Sequence, residues 1–432
     1  MLESRWEDRR GGFALLVGVL VVVTALVAVS PLSDAVTGES VPFARPSQPP
    51  AYLFFAPLFG VWDTLSLLTL SQHYAVIVTL VALYVSLRLR AAAGRRGDPS
   101  PARRGLVRGL SMEAGYAVLA LVGLLAFYAA GMLLPRPMTG IVLDDEDLLA
   151  IDFHSHTHRS HDGWGLFSAP RNRDWHEQGG FHAAYVTDHY TWRGFDEADV
   201  DNPVRSGERT VLLEGAEIRI HRRPTNILGG RARYLSALDA DSVYMDPDAV
   251  ERMDPGGRPP TFLYTMPGGL QYLVPFTEET PSGMIGIEIN DGSPRGLEQV
   301  RRERKEILAL ADSVDLALIG AANLHGWGRT VASWSVMRIP GWSGLTPLEL
   351  GDAIEGELHR SRRNSVQVVE RRMPYHQGAP LRVALTLPWI TLEHFRMLSV
   401  AERLSWLLWL GVWFFGVRAL SRRSRRRALG LT

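Results

Sequence analysis

The sequence predicts an α/β, barrel-like domain joined to four transmembrane helices. Three observations carry that expectation. Apolar runs long enough to cross a bilayer occupy the first third of the chain and its last thirty residues or so. Between them, from 141 to 388, short apolar runs alternate with polar, helix-compatible stretches. Several of those short runs end on histidine or a carboxylate.

The membrane elements come first in chain order. Residues 12–30 are free of charge over 19 positions, close to the ~20 a spanning helix needs. A cleaved signal peptide is the alternative, but the apolar stretch is longer than such peptides use and further spans follow. Residues 64–87 contain one ionisable group, His73, read as a packing residue, and 114–134 form a third span. The fourth, 404–417, is short, but a snorkelling Arg418 extends it to about 402–420. Trp406, Trp409 and Trp413 suit an interfacial belt there; a surface-lying helix is the alternative. Residues 51–62 are apolar but too short, and contain Pro57, so a surface or re-entrant piece is expected. The chain thus divides into a membrane region (1–140), a middle domain (141–388) and a last helix with a basic tail (389–432).

Arginine placement orients these spans. The 88–108 loop carries seven arginines against Asp98, and the tail from Arg418 to Arg427 carries six and no acid. The 31–63 loop has Arg45 against Asp34, Glu39 and Asp63. By the positive-inside rule both termini are cytoplasmic and the 141–388 domain lies outside, on a plasma (inner) membrane. The lipid bilayer is the expected partner. Formal net charge is zero, so nucleic acid is not expected. There is no cysteine, which excludes disulfides, thiolate ligands and a cysteine nucleophile.

In the middle domain the candidate strands are 148–153, 183–187, 211–220, 226–228, 262–265, 284–289 and 316–321. Residues 295–312 read as an amphipathic helix, and 347–362 as a helix capped by Thr346 with Pro347 at its first position. The Gly-, Pro- and Asp-rich 230–283 region is expected to form long loops.

Seven of the thirteen histidines lie between 154 and 189. Residues two apart on a strand face one side, so His154 and His156 can converge on one ion, with Asp152 as ligand or orienting carboxylate. Thr187-Asp188-His189, Glu214-Gly215-Ala216-Glu217 and Asn323-Leu324-His325 end three more apolar runs. Strand carboxyl ends are where α/β barrels build their sites. Four such ends together point to metal binding rather than chance surface pairs.

The run from Asp152 to Gly163, followed by Thr187-Asp188-His189 and Gly215-Ala216-Glu217, resembles the PHP (polymerase and histidinol phosphatase) domain family. The first run fits its D-x-H-x-H-T-x-x-S-x-D-G motif, and the others its T-D-H and G-x-E motifs. The resemblance covers about 141–330 and implies a distorted (β/α)7 barrel, up to three divalent metals and phosphoester hydrolysis. Carried over, one metal takes His154, His156 and Glu217, and a second takes Asp162, His189 and His325. The chain departs from the family at three places. Asn323, a weaker, neutral oxygen ligand for the metal site, stands for the last Asp, Pro224 for a His before Asn226, and Met266 for the His of a His-Pro pair. Both missing histidines serve one metal in the family, so two divalent ions (Zn, Mn or Fe) are expected; His221 is a possible substitute ligand. His176 and His182 are read as surface or packing residues.

The expected chemistry is hydrolysis of a phosphoester by metal-activated water. Asp188 or His158 would assist proton transfer, and Arg329 would stabilise phosphoryl charge. Arg219, Arg222, Arg223 and Arg193 are weaker candidates for that task. The competing reading is a metal-binding sensory or structural ectodomain with little catalysis.

Overall fold

The computed structural model describes residues 2–93, 103–220, 223–230, 234, 244–245, 260–266, 270, 283–373 and 380–428. His221, Arg222, Pro267, His376 and most of the 230–283 region lie outside the described residues.

The α/β unit is built on one mixed sheet. Its strands are β1 (Leu32–Asp34), β4 (Leu148–Ser155), β5 (Ala183–Val186), β6 (Val211–Ile220), β7 (Arg223–Leu228), β9 (Thr261–Tyr264), β10 (Met284–Asp291), β11 (Ala317–Ala321), β12 (Ser333–Arg338) and β13 (Gln367–Arg371). Their order is β1-β13-β12-β4-β5-β6-β7-β9-β10-β11, and β8 (Tyr244–Met245) pairs with β6 off this path. A separate ribbon pairs β2 (Ala44–Ser47) with β3 (Gly140–Leu143). The strands from β4 to β6 are parallel, as are those from β9 to β11.

The expected distorted (β/α)7 barrel is met in part: the unit is α/β and its sheet curls, but the strands are mixed in direction. β7 runs antiparallel to both β6 and β9, and β12 runs antiparallel to β4 and β13. The physical reason is connection length. Only two residues separate Ile220 from Arg223, whereas a parallel pairing needs a crossover of roughly a dozen. The curl brings the far end of the sheet back to its middle. Ser155 and Leu324 form a parallel bridge, the Ala322 N–H donates to Asp152 Oδ1, and Gly320 exchanges two hydrogen bonds with the Ser335 hydroxyl. The carboxyl ends of β4, β5, β6 and β11 thus meet around one point.

The core follows the apolar runs. Leu149, Ile151, Phe153, Tyr185, Ile218, Ile287 and Ile319 are all buried in one cluster. The helix expected over 295–312 is two helices, Pro294–Arg302 and Arg304–Ser313, broken at Glu303. The break lets Leu297 pack against Leu67 and Ala332 while Ile307 and Ala311 stay on the main core. The helix Pro347–Ser361 starts at a capping box between Thr346 and Glu349.

The boundary at 141 is not the boundary of the sheet. β1 lies in the segment between the first two apolar runs and closes the sheet edge against β13. One helix of that segment, Ala56–Ser66, carries Asp63, a buried carboxylate paired with Arg136 (2.7 Å) and Arg371 (2.8 Å). Tyr52 and Thr330 donate to the same carboxylate. Burial alone would raise the Asp63 pKa, but Arg371 and Arg136 outweigh it and hold the carboxyl below its ordinary value.

Helices occupy the four apolar runs, of which fewer than four have the length and apolarity of a span. Two helices are long and apolar enough to cross a membrane, Leu70–Arg90 and Ser111–Leu133. Another candidate is a pair bent by 116°, Ala384–Met397 with Val400–Gly416, and the apolar helix Gly11–Val27 is shorter. Four separate spans are thus more than these helices present. The apolar run from 64 is divided: Ser66 ends one helix, and Thr69 with Gln72 caps the next, which starts at Leu70. The Arg88–Glu113 ion pair ties the two clear spans at one end. At their other end, the Gly328 N–H donates to the Met132 carbonyl, and Ser71 bonds Glu298.

Candidate metal centre

β4 places His154 at its buried end, and His156 follows immediately after. The β-bridge between His189 and Glu217 aligns the carboxyl ends of β5 and β6. Gly163 allows the loop after His156 to turn back, since a Cβ there would lie 2.0 Å from the Thr157 carbonyl oxygen.

Two donor sets result. Ligand atoms of His154, His156 and Glu217 lie within 4.8 Å of one another, and so do those of His156, Asp162, His189 and His325. His156, fully buried, belongs to both. His154 Nε2 is 3.0 Å from His156 Nε2 and 3.2 Å from Glu217 Oε2. The same Glu217 oxygen is 3.3 Å from His189 Nδ1. Asp162 Oδ2 is 3.0 Å from His325 Nε2 and 3.3 Å from His189 Nε2.

Electrostatics of the cluster follow from burial and mutual charge. Burial pushes His156 well below the ordinary histidine value, and His325, His154 and His189 push it further. Burial would raise Glu217, but His154 and His189 outweigh it and keep the carboxyl low. A neutral imidazole beside an ionised carboxylate is the donor state a cation requires. His154 differs: burial lowers it, but Glu288 and Glu217 together hold it well above its ordinary value.

Glu288 is the site residue that sequence reasoning missed. Its Oε1 lies 2.6 Å from His154 Nδ1, and Oε2 accepts the Met266 N–H. Burial raises its carboxyl to about 7. The signal was present, a lone acid inside the apolar run Ile285-Gly286-Ile287-Glu288-Ile289. A carboxylate behind a histidine ring fixes which nitrogen faces the ion. Asp152 is placed differently. It is fully buried, accepts from Ala322 and His154 backbone N–H groups, and lies 2.8 Å from His176 Nε2. His176 is thus a buried partner of Asp152, a correction to its reading as a surface or packing residue. His182 accepts the Ala150 N–H through Nδ1.

The residues expected to assist catalysis are spread more widely. Both Asp188 oxygens are taken by Thr157, from its backbone N–H at 2.6 Å and its hydroxyl at 2.7 Å. Gly194 makes room for that carboxylate. His158 Nε2 is 3.7 Å from Glu197. Arg329 is half-buried, and the charges acting on it are Arg136, Arg171 and Asp174 rather than the donor cluster. Asn323 has a left-handed φ of 44° and donates to Asp291 through Nδ2 at 3.0 Å. Its Oδ1 is buried without a partner among the described residues. Pro224 lies in β7, opposite Arg219.

The donor set fits a divalent cation. All facing atoms are imidazole nitrogens and carboxylate oxygens, which suit Zn, Mn or Fe. Two ring nitrogens 3.0 Å apart and buried beside a carboxylate can share a proton or hold a cation in its place. The cluster forms the floor of a polar cleft of about 380 Å³, lined also by His161, Tyr190 and Arg219.

No family model matches the chain, and no curated protein matches it. Among solved structures it is similar to PsfC from Pseudomonas syringae, at 16% identity over 56% of this chain and 98% of that one, with a TM-score of 0.36. It is also similar to a two-domain protein from Bacteroides vulgatus containing a predicted PHP-like metal-dependent phosphoesterase, at 20% identity over 45% and 61%, TM-score 0.28. A third is the lesion-specific endonuclease PfuEndoQ from Pyrococcus furiosus, at 12% identity over 48% and 56%, TM-score 0.35. These likenesses are low in score and identity, and the functional reading below rests on the site itself.

Proposed function

We propose that this chain is a membrane-anchored, metal-dependent hydrolase of phosphoesters with a PHP-type site holding two divalent ions. The observation that carries the proposal is the sharing of His156 between two donor sets, with Glu217 reaching His154 on one side and His189 on the other. Adjacent cation positions suit in-line displacement at phosphorus. When bound, such ions supply Lewis acidity and lower the pKa of water from 15.7 to about 7.

The chain's own residues do the rest. His154, His156 and Glu217 hold one position; His156, Asp162, His189 and His325 hold the other. Glu288 orients His154. Arg219 and His161 face the cleft, where they can pair with phosphate oxygens. Asp188 serves by holding Thr157, and with it the loop that delivers Asp162.

We place the α/β unit outside the cytoplasm and both termini inside, on a plasma (inner) membrane. The Arg-rich 88–108 loop and tail support this orientation. So does helix pairing: Phe13 meets Trp413 while Thr24 bonds Arg403, so the first and last helices run antiparallel with their outer ends on one side.

The test is an assay of the full chain in detergent with Mn or Zn on phosphomonoesters and phosphodiesters. Turnover is expected, and His156→Ala is expected to lower it at least a hundredfold. Bound metal with no turnover on any phosphoester overturns the proposal in favour of a structural or sensory metal site.

A further inference from the structure

A second cavity, of about 340 Å³, opens beside the metal cleft, between the α/β unit and the helices of the first third of the chain. His73 contributes from one clear span, and Tyr128, Gly131 and Met132 from the other. Trp62 and Leu65 close it from the helix that carries Asp63. On the α/β side lie Leu324 and Trp327, the latter half-exposed and stacked on Trp164 at 5.3 Å. The lining is mostly apolar.

This cavity and the metal cleft share a wall. Ser293, Asn323 and His325 line both. The loop that carries His325 is fastened to the membrane span by the Gly328–Met132 hydrogen bond at 3.1 Å. A buried, unpartnered Asn323 Oδ1 sits at the junction. His325, paired with Asp162, thus stands between the cavity lined by the two candidate spans and the metal cleft.

We infer that the substrate is a phosphoester lipid that stays in the bilayer, its acyl chain in this cavity and its phosphate at the metal-donor cluster. This rests on the phosphoesterase reading above. A water-soluble phosphoester has no use for an apolar chamber walled by two spans. An acyl chain does, because each methylene buried strengthens binding about fourfold. The hydrolysis consumes one water. A P–O bond forms to the water oxygen, the P–O bond to the lipid alcohol breaks, and that alcohol leaves carrying one of the water protons.

The test uses the full chain in detergent micelles with Mn. The substrates are dioleoyl and dihexanoyl phosphatidic acid and phosphatidylglycerol, with glycerol phosphate and glycerophosphoglycerol as chain-free controls. kcat/KM is expected to fall at least tenfold from the dioleoyl to the dihexanoyl ester, and further to the chain-free control. In parallel, dioleoyl phosphatidic acid with a diazirine in one acyl chain is photolysed and the labelled residues mapped. Label is expected on Leu65, Met132 or Trp327. Equal turnover of chain-free and dioleoyl esters, with label confined to the outward-facing Leu119, Val122 and Leu125, overturns the lipid inference and leaves the phosphoesterase reading intact. Label in the cavity with no turnover of any ester overturns the phosphoesterase reading and leaves a lipid-binding chamber.

Discussion

At the scale of single residues, the site depends on who stands behind each donor. Asn323 donates to Asp291 at 3.0 Å, so Asn323→Asp would bring two carboxylates together in a mostly buried place. That variant is expected to lose about 1–3 kcal/mol in thermal unfolding without added metal, and to regain part of it with Mn. An unchanged melting temperature in both conditions would refute this account of Asn323. His182 offers a cleaner titration. Burial depresses its pKa from 6.5 to about 4. Between those values the unfolded chain binds the extra proton, so stability is unaffected above pH 6.5 and falls as pH drops towards 4. The full loss is up to roughly 3 kcal/mol. His182→Asn keeps an acceptor for the Ala150 N–H and should flatten the fall in melting temperature between pH 7 and 5; an equally steep fall would show that another group is responsible. His154, His156, Asp162, His189, Glu217 and His325 were all legible as donors, because motif spacing announces them. Glu288 and His176 were not, because each acts through one partner far away in sequence, His154 and Asp152 respectively.

At the scale of elements, strand positions were readable and strand partners were not. The apolar run 211–220 matches β6 at both ends, and 284–289 lies within β10. β12 and β13 were missed: Ser333, Ser335 and Arg338 interrupt the apolar character of one, and Gln367, Glu370 and Arg371 that of the other. Those polar side chains are spent on cross-sheet contacts, Ser335 with Gly320, Glu370 with Arg304 and Arg371 with Asp63. Asp63 counted in the sequence only as one acid of an external loop. Folded, it is the shared anion for Arg136 and Arg371 where the helix Ala56–Ser66 meets the sheet. Asp63→Asn would leave two buried guanidinium groups short of charge and is expected to cost about 3–5 kcal/mol in denaturant unfolding. Removing the exposed Arg45–Asp144 pair should be nearly silent by the same measurement. Equal effects would mean that Asp63 is not the weld between the two regions.

At the scale of the molecule, the apolar helices and the α/β unit are packed together. The edge strand β1, the Asp63 cluster and the Gly328–Met132 bond all cross between them. The absence of native cysteine makes topology directly measurable with single introduced thiols. Val200, 82% exposed on the α/β unit, should as Val200→Cys react with an impermeant maleimide on intact cells. Ala91→Cys, at the arginine-rich end of a span, should react only after permeabilisation. The reverse pattern would invert the orientation.

What the sequence determined by itself was chemistry with a local signature: apolar runs of membrane length, alternating strand patterns, and histidines spaced two apart beside carboxylates. Such signals are carried by residues close in the chain, so one string suffices to read them. What only the tertiary structure decided was closure. A two-residue turn made β7 antiparallel, the returning end of the sheet set His325 against Asp162, and the loop beyond it came to rest on a membrane helix. The last two depend on contacts between residues more than a hundred positions apart, which burial and curvature select and no local pattern encodes.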